Sequence, residues 1–249
     1  MPNRLVLEIC VESADHAVAA EHGGADRIEL CTDLASGGIT PSAELMQTVR
    51  RQVCIPIHVL IRPRAGDFCY SDSELEIMRN DIRAAKQLGM DGVVLGILQG
   101  NTRVDVERTK ALVELASPLP VTFHRAFDDS HNLETSLEDV IQTGAARILT
   151  SAGQPRATDG LQILRHLVQA ASERIRIMPC GGINSDNVLH IVRTTLAQEV
   201  HSSAGTSGNG GGFSQGNDDS SSLQSDSFED RVAKLVSRLT DASVEPRLR

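Results

Sequence analysis

Five short stretches of this 249-residue chain put ionisable side chains into or just after apolar runs. VLEIC holds Glu8 and Cys10, and RIELC holds Glu29 and Cys31. HVLIRPRAGDF holds His58, Arg62, Arg64 and Asp67; VTFHRAFD holds Thr122, His124, Arg125 and Asp128; EVHSS holds His201, Ser202 and Ser203. On a strand, alternate residues face the same side, so Glu8 shares a face with Cys10, Glu29 with Cys31, and His58 with Arg62. Glu8 and Glu29 offer a carboxylate pair, while His124 and His201 offer groups that titrate near neutrality, a set suited to general acid–base catalysis. The same oxygens and nitrogens suit a hard or borderline divalent ion. Charge in an apolar interior is costly unless paired. These groups therefore need each other or a ligand, and internal pairing is the competing reading.

A further stretch, MPCGGIN, places Gly181 and Gly182 after an apolar run and ahead of a helix opened by Asn184 and Ser185. Such a turn aims backbone N–H groups and a helix N-terminus at an anion. Ser202 and Ser203 add hydroxyls there. With Arg62, Arg64, Asp67, Arg125 and Asp128 they form a candidate subsite for a small anionic metabolite, phosphorylated or carboxylated.

The elements that must position these residues follow from the pattern. Strand-like runs at 5–10, 27–31, 57–62, 92–97, 120–124, 147–151, 176–180 and 199–203 alternate with amphipathic helical segments. Plausible caps open the helices: Ser13 before 14–21, Ser42 before 43–51 and Ser73 before 74–88. Eight strands with intervening helices predict an α/β fold, a (β/α)8 TIM barrel spanning 1–249 as one domain, whose C-terminal strand ends carry the chemistry. GGADRIEL, GMDGVVLG and GAARILTS resemble one another, with a weaker echo in LAQEVHSS. Each sits before an even-numbered strand, which fits four repeats of two βα units. The Gly/Ser-rich stretch 205–227 reads as a flexible loop after strand eight, and 229–240 as a closing helix.

Composition excludes several function classes. A formal net charge of −9, with no basic run to offset it, disfavours nucleic acid and anionic membrane. Aromatic residues make up 2% of the chain, with no Trp, which excludes an aromatic cage or stacking platform. No apolar stretch is long enough to span a bilayer. Five scattered cysteines without a CxxC pair, and an N-terminus lacking a leader pattern, fit reduced thiols in the cytoplasm or nucleus.

At the same residues the sequence resembles the CutC copper homeostasis family. The matching blocks are EIC at 8–10, GGADRIELC at 23–31, GGITPS at 37–42, IRPRAGDF at 61–68, PVTFHRAFD at 120–128, RILTS at 147–151, MPCGGI at 178–183 and HSSA at 201–204. The resemblance implies a (β/α)8 barrel, a cytoplasmic location, a homo-oligomer and a role in copper binding or tolerance. Ala65 and Cys180 stand where the family usually has glycine, and its Arg-containing stretch after HSSA is replaced here by the Gly/Ser segment. Copper(I) prefers thiolates. Cys10 and Cys31, at equivalent ends of neighbouring strands, are its candidate ligands; the alternative is that both are small buried residues. Cu(I) binding at the two cysteines and an enzyme of unknown reaction at the barrel mouth both stay open on sequence grounds.

Overall fold

The computed structural model describes residues 5–205 and 226–244. Strands and helices alternate throughout as β1 (Val6–Val11), α1 (Ala14–His22), β2 (Arg27–Leu30), α2 (Ala43–Gln52), β3 (Ile57–Leu60), α3 (Asp72–Gln87), β4 (Gly92–Leu95) and α4 (Val106–Ala116). The second half runs β5 (Val121–Phe123), α5 (Leu133–Thr143), β6 (Arg147–Thr150), α6 (Leu161–Ala171), β7 (Arg176–Pro179), α7 (Val188–Thr195), β8 (Glu199–Ser202) and α8 (Phe228–Val244). Every ladder is parallel, in the order β7-β6-β5-β4-β3-β2-β1-β8, and β7 packs beside β8 at the seam. This is the expected (β/α)8 TIM barrel. Most of the expected loop lies outside the described residues, which resume at 226. Among the described residues no helix is long and apolar enough to cross a membrane.

The elements end where local chemistry changes. Ser13 and Ser42 cap α1 and α2 as the sequence predicts. The third helix begins earlier than expected: Ser71, not Ser73, is its cap, because Ser71 and Glu74 close a reciprocal capping box. The seventh begins later, at Val188. Asn184 accepts the amides of Asp186 and Asn187 in a turn of its own ahead of the helix. Seven of the eight strands stop short of their expected C-terminal ends, whereas β1 runs one residue further, to Val11. Cys31, Arg62, His124 and Cys180 therefore sit just past their ladders, where the chain turns over the mouth.

The core is divided by polarity. Outward-facing residues of the strands, among them Leu7, Ile9, Ile28, Leu30, Ile57, Val59, Val93 and Ile148, pack against the helices in one large apolar cluster. Each such fully buried aliphatic side chain contributes about 1.5–3 kcal/mol. The inward-facing residues are different. The four sequence repeats align Arg27, Gly92, Arg147 and Glu199 on the even-numbered strands, and two residues later Glu29, Val94, Leu149 and His201. Four side chains from alternate strands make one layer of a barrel interior. The odd-numbered strands interleave Glu8, His58, Thr122 and Met178. Ions and histidines thus fill much of this barrel.

Candidate functional site

The floor of the site is a closed ionic network. Arg27 donates through Nε to Glu8 and through Nη2 to Glu199 (2.8 Å), and Glu199 also accepts from Arg147 Nε (3.1 Å). His201 Nδ1 lies 2.8 Å from the other Glu8 oxygen. Burial acts to raise the Glu8 pKa, but the Arg27 charge and the His201 contact outweigh it and hold this carboxyl well below the usual range. The same contact raises His201 against the opposing effect of burial. His58 stands below Glu29 in the space left by Gly92, where an added Cβ would come within 2.5 Å of the ring. Burial pushes His58 down to about 3. Internal pairing therefore accounts for Glu8. Sequence reasoning missed Arg27, Arg147 and Glu199; their shared position in the repeats was the available signal.

Above this floor a cavity of about 180 Å³ opens at the C-terminal strand ends. It is lined by Cys10, Glu29, Arg62, His124, Arg125, Cys180, Gly181, Gly182, His201, Ser202 and Ser203, among others. The Cys10 and Cys31 sulfurs are 3.4 Å apart and unbridged, and Cys10 Sγ is 3.8 Å from Glu29 Oε1. Leu34, Leu60 and Val94 pack around the thiol pair. The Cys31 contact, then burial, pushes the Cys10 thiol well up. Burial also raises Glu29, to about 7, with the His201 charge opposing and the Glu8 charge adding. Its Oε2 is buried without a hydrogen-bond partner.

His124 caps the 3-10 turn that follows β5. Its Nδ1 accepts the Ala126 amide (3.2 Å), which assigns the ring proton to Nε2, and that atom is buried without a partner. Burial, and secondarily the Arg62 charge, pushes His124 down to about 3. At neutral pH it is a neutral N–H donor, not the freely titrating acid–base group expected from the sequence. Gly96 makes its place: a Cβ there would come within 2.6 Å of Nδ1.

Arg62 reaches the cavity, as the residue parity predicts, but is largely committed. Its guanidinium donates to the carbonyls of Gly38 (2.8 Å), Ser36 (3.3 Å) and Gly66 (2.7 Å), and stacks over Phe68. Only Nε is unpartnered, and no carboxylate among the described residues forms an ion pair with this buried cation. Gly181 and Gly182 adopt left-handed backbones (φ 94° and 67°). Among the described residues the amides of Gly181, Gly182 and Ile183 donate no hydrogen bond.

Four expected anion-site residues make contacts that hold the scaffold. Arg64 binds Glu74, Asp67 and the Cys69 carbonyl on the rim, away from the cavity, so Arg64 and Asp67 shape the loop after β3. Asp128 accepts the Ser151 and Gly153 amides and the Thr150 hydroxyl, fixing the loop after β6. Ser202 Oγ donates to the Ile183 carbonyl (2.6 Å) and accepts the Ala204 amide. Arg125 lines the cavity while holding Asp128 and Ser151 (2.9 Å each).

Fold and site together define a (β/α)8 barrel with an ionic floor and a mouth bearing thiols, a carboxyl and imidazoles. The CutC family model matches residues 5–206, and the chain belongs to the CutC family. It is 47% identical over 202 residues to the human copper homeostasis protein cutC homolog, covering 81% of this chain and 74% of that protein. A family protein CutC from Vibrio parahaemolyticus is also 47% identical over 202 residues, covering 80% of this chain and 82% of its own. The crystal structure of the putative copper homeostasis protein CutC from Streptococcus agalactiae superposes with a TM-score of 0.76 at 32% identity, over 80% of this chain and 98% of that one. Thiamine phosphate pyrophosphorylase from Pyrococcus furiosus superposes with a TM-score of 0.63 at 16% identity, a likeness of fold alone.

Proposed function

We propose that this protein serves copper homeostasis by binding Cu(I) between Cys10 and Cys31, in the cytoplasm or nucleus, as a homo-oligomer. The observation that carries this is the pair of buried, unbridged sulfurs 3.4 Å apart, of which Cys10 lines the cavity. Two thiolates on one soft ion sit about 4.6 Å apart, twice a metal–sulfur bond of roughly 2.3 Å, so small side-chain rotations open the pair enough. The aliphatic collar suits a soft ion that needs no water, and both thiols must shed protons on binding. Five unbridged thiols support a reducing compartment. Family membership supports the copper role, and the resemblance supports the homo-oligomer.

Anaerobic competition with a chromophoric Cu(I) chelator tests the site. Tight one-to-one binding by the wild type, weakened at least 100-fold in Cys10→Ser/Cys31→Ser, is the expected result. Equal affinity in the two proteins removes the proposal.

A second reading, an enzyme acting on a small phosphorylated or carboxylated substrate, is favoured by one observation. Arg62 is a buried cation in ion-pair contact with no carboxylate among the described residues, on a cavity also lined by His124, whose Nε2 is buried without a partner, and by Gly181 and Gly182, whose amides are unengaged. Here Glu29 exchanges protons near neutrality, His124 donates to a developing oxyanion, and Glu8 positions His201. Titration with inorganic phosphate and with malonate is expected to show binding in the millimolar range, weakened at least tenfold in Arg62→Met. No binding of either anion by the wild type contradicts this reading.

A further inference from the structure

The geometry points to a divalent-cation site, sharing only Cys10 with the thiol pair, formed by Cys10 Sγ, a Glu29 carboxylate oxygen and His201 Nε2, with Zn(II) as the fitting ion. One ligand atom from each of these residues lies within 4.8 Å of the others, although they come from β1, β2 and β8. Glu29 Oε2 is buried without a hydrogen-bond partner, a costly state that coordination relieves. His201 is oriented for the task. Its Nδ1 is engaged by Glu8 at 2.8 Å, the carboxylate–histidine arrangement that fixes tautomer and ring direction around a metal, leaving Nε2 as the ligating nitrogen.

Charge supports the same ion. In the floor Arg27 and Arg147 offset Glu8 and Glu199, so a Cys10 thiolate and a Glu29 carboxylate add two negative charges that a divalent cation balances. One sulfur, one oxygen and one nitrogen form a borderline donor set, better matched to Zn(II) than to Cu(I). Three protein ligands with the fourth side open to a cavity is also the plan of a catalytic zinc centre. The open position faces the cavity that His124 and Arg62 also line, and takes water or an oxygen of an anionic ligand.

The site shares Cys10 with the proposed Cu(I) pair but not Cys31, which makes the two separable. Anaerobic titration of the full chain with Co(II), read by thiolate-to-cobalt charge transfer in the near ultraviolet and by tetrahedral d–d bands, tests it. The wild type and Cys31→Ser are expected to give the same one-thiolate spectrum with affinities within about threefold, although Cys31→Ser loses Cu(I). Glu29→Gln, nearly isosteric and safe for folding, is expected to weaken cobalt binding at least tenfold, and His201→Gln likewise. Absence of the charge-transfer band in the wild type overturns the inference. So does a band lost in Cys31→Ser yet indifferent to Glu29→Gln, which places cobalt on the thiol pair. Failure of Cu(I) binding alone bears only on the copper proposal.

Discussion

Replacing Arg27 with methionine is expected to cost about 3–5 kcal/mol of folding stability, the range for breaking a buried ion pair by removing one partner. In a chain of this size that lowers the melting temperature by roughly 6–20 °C. The reason lies in the floor network. Arg27 bonds Glu8, which is 0% exposed, and Glu199 at 2.8 Å, and it also touches Met178 Sδ at 3.3 Å. Its removal leaves Glu8 with His201 and Glu199 with Arg147, so each carboxylate keeps one partner and the effect falls toward the lower end. Reversible urea denaturation measures it. A loss under about 1 kcal/mol would mean that the network contributes little beyond its packing. In the double variant Arg27→Met/Glu8→Gln part of the cost is expected to return, because the orphaned charge is removed with its partner, giving a coupling on the order of 1–3 kcal/mol.

Stability is also expected to fall by roughly 1 kcal/mol for each pH unit between pH 6 and pH 5. His58 and His124 remain neutral in the folded protein down to about pH 3, chiefly through burial. An unfolded histidine takes up a proton near 6.5. Below that value the unfolded chain binds more protons, so stability declines through the window from 6.5 toward 3. Glu29 acts in the opposite sense. Its folded value is raised to about 7, so its contribution is fully present below 4.5 and is lost as pH rises through 7. His201 is raised as well, and its contribution is lost above 6.5, outside the interval. Two histidines against one carboxyl leave a net slope of about one proton, or roughly 1 kcal/mol per unit. His124→Asn, whose side-chain oxygen keeps the Ala126 amide bond, removes one histidine and flattens the profile. Urea midpoints at pH 5 and pH 6 decide the matter, and an unchanged slope in the variant contradicts the neutral assignment of His124.

The histidines and Glu29 are groups that the sequence brought to notice without revealing their state, whereas Arg27 passed unnoticed until the floor network showed its partners. The alternation of apolar runs and capped helical segments specified eight strands, their order and their parallel pairing. Capping went astray at the third helix, where Ser71 and Ser73 competed and the reciprocal bond to Glu74 decided between them, and at the seventh, where Asn184 closes a separate turn ahead of the helix. Residue parity placed Glu8, Glu29, Arg62, His124 and His201 on the inner side. Except in β1, expected strand ends ran one or more residues too long, because apolar character continues past the last ladder bond where the chain turns over the mouth.

The sequence by itself thus determined the fold, the face on which the chemistry gathers and the family, since periodicity, caps and contiguous motifs are local properties. Only the tertiary structure decided which charges are spent and which are available. Arg27 meets Glu199 across 172 residues of chain, and His201 meets Glu8 across 193. Arg62 gives most of its donors to carbonyls of two loops, and Arg64 and Asp67, adjacent to it in sequence, turn to the rim. Burial then set the protonation of His58, His124 and Glu29. A side chain's partners and its dielectric surroundings are supplied by distant segments, so the sequence names the candidates and the closed barrel assigns their roles.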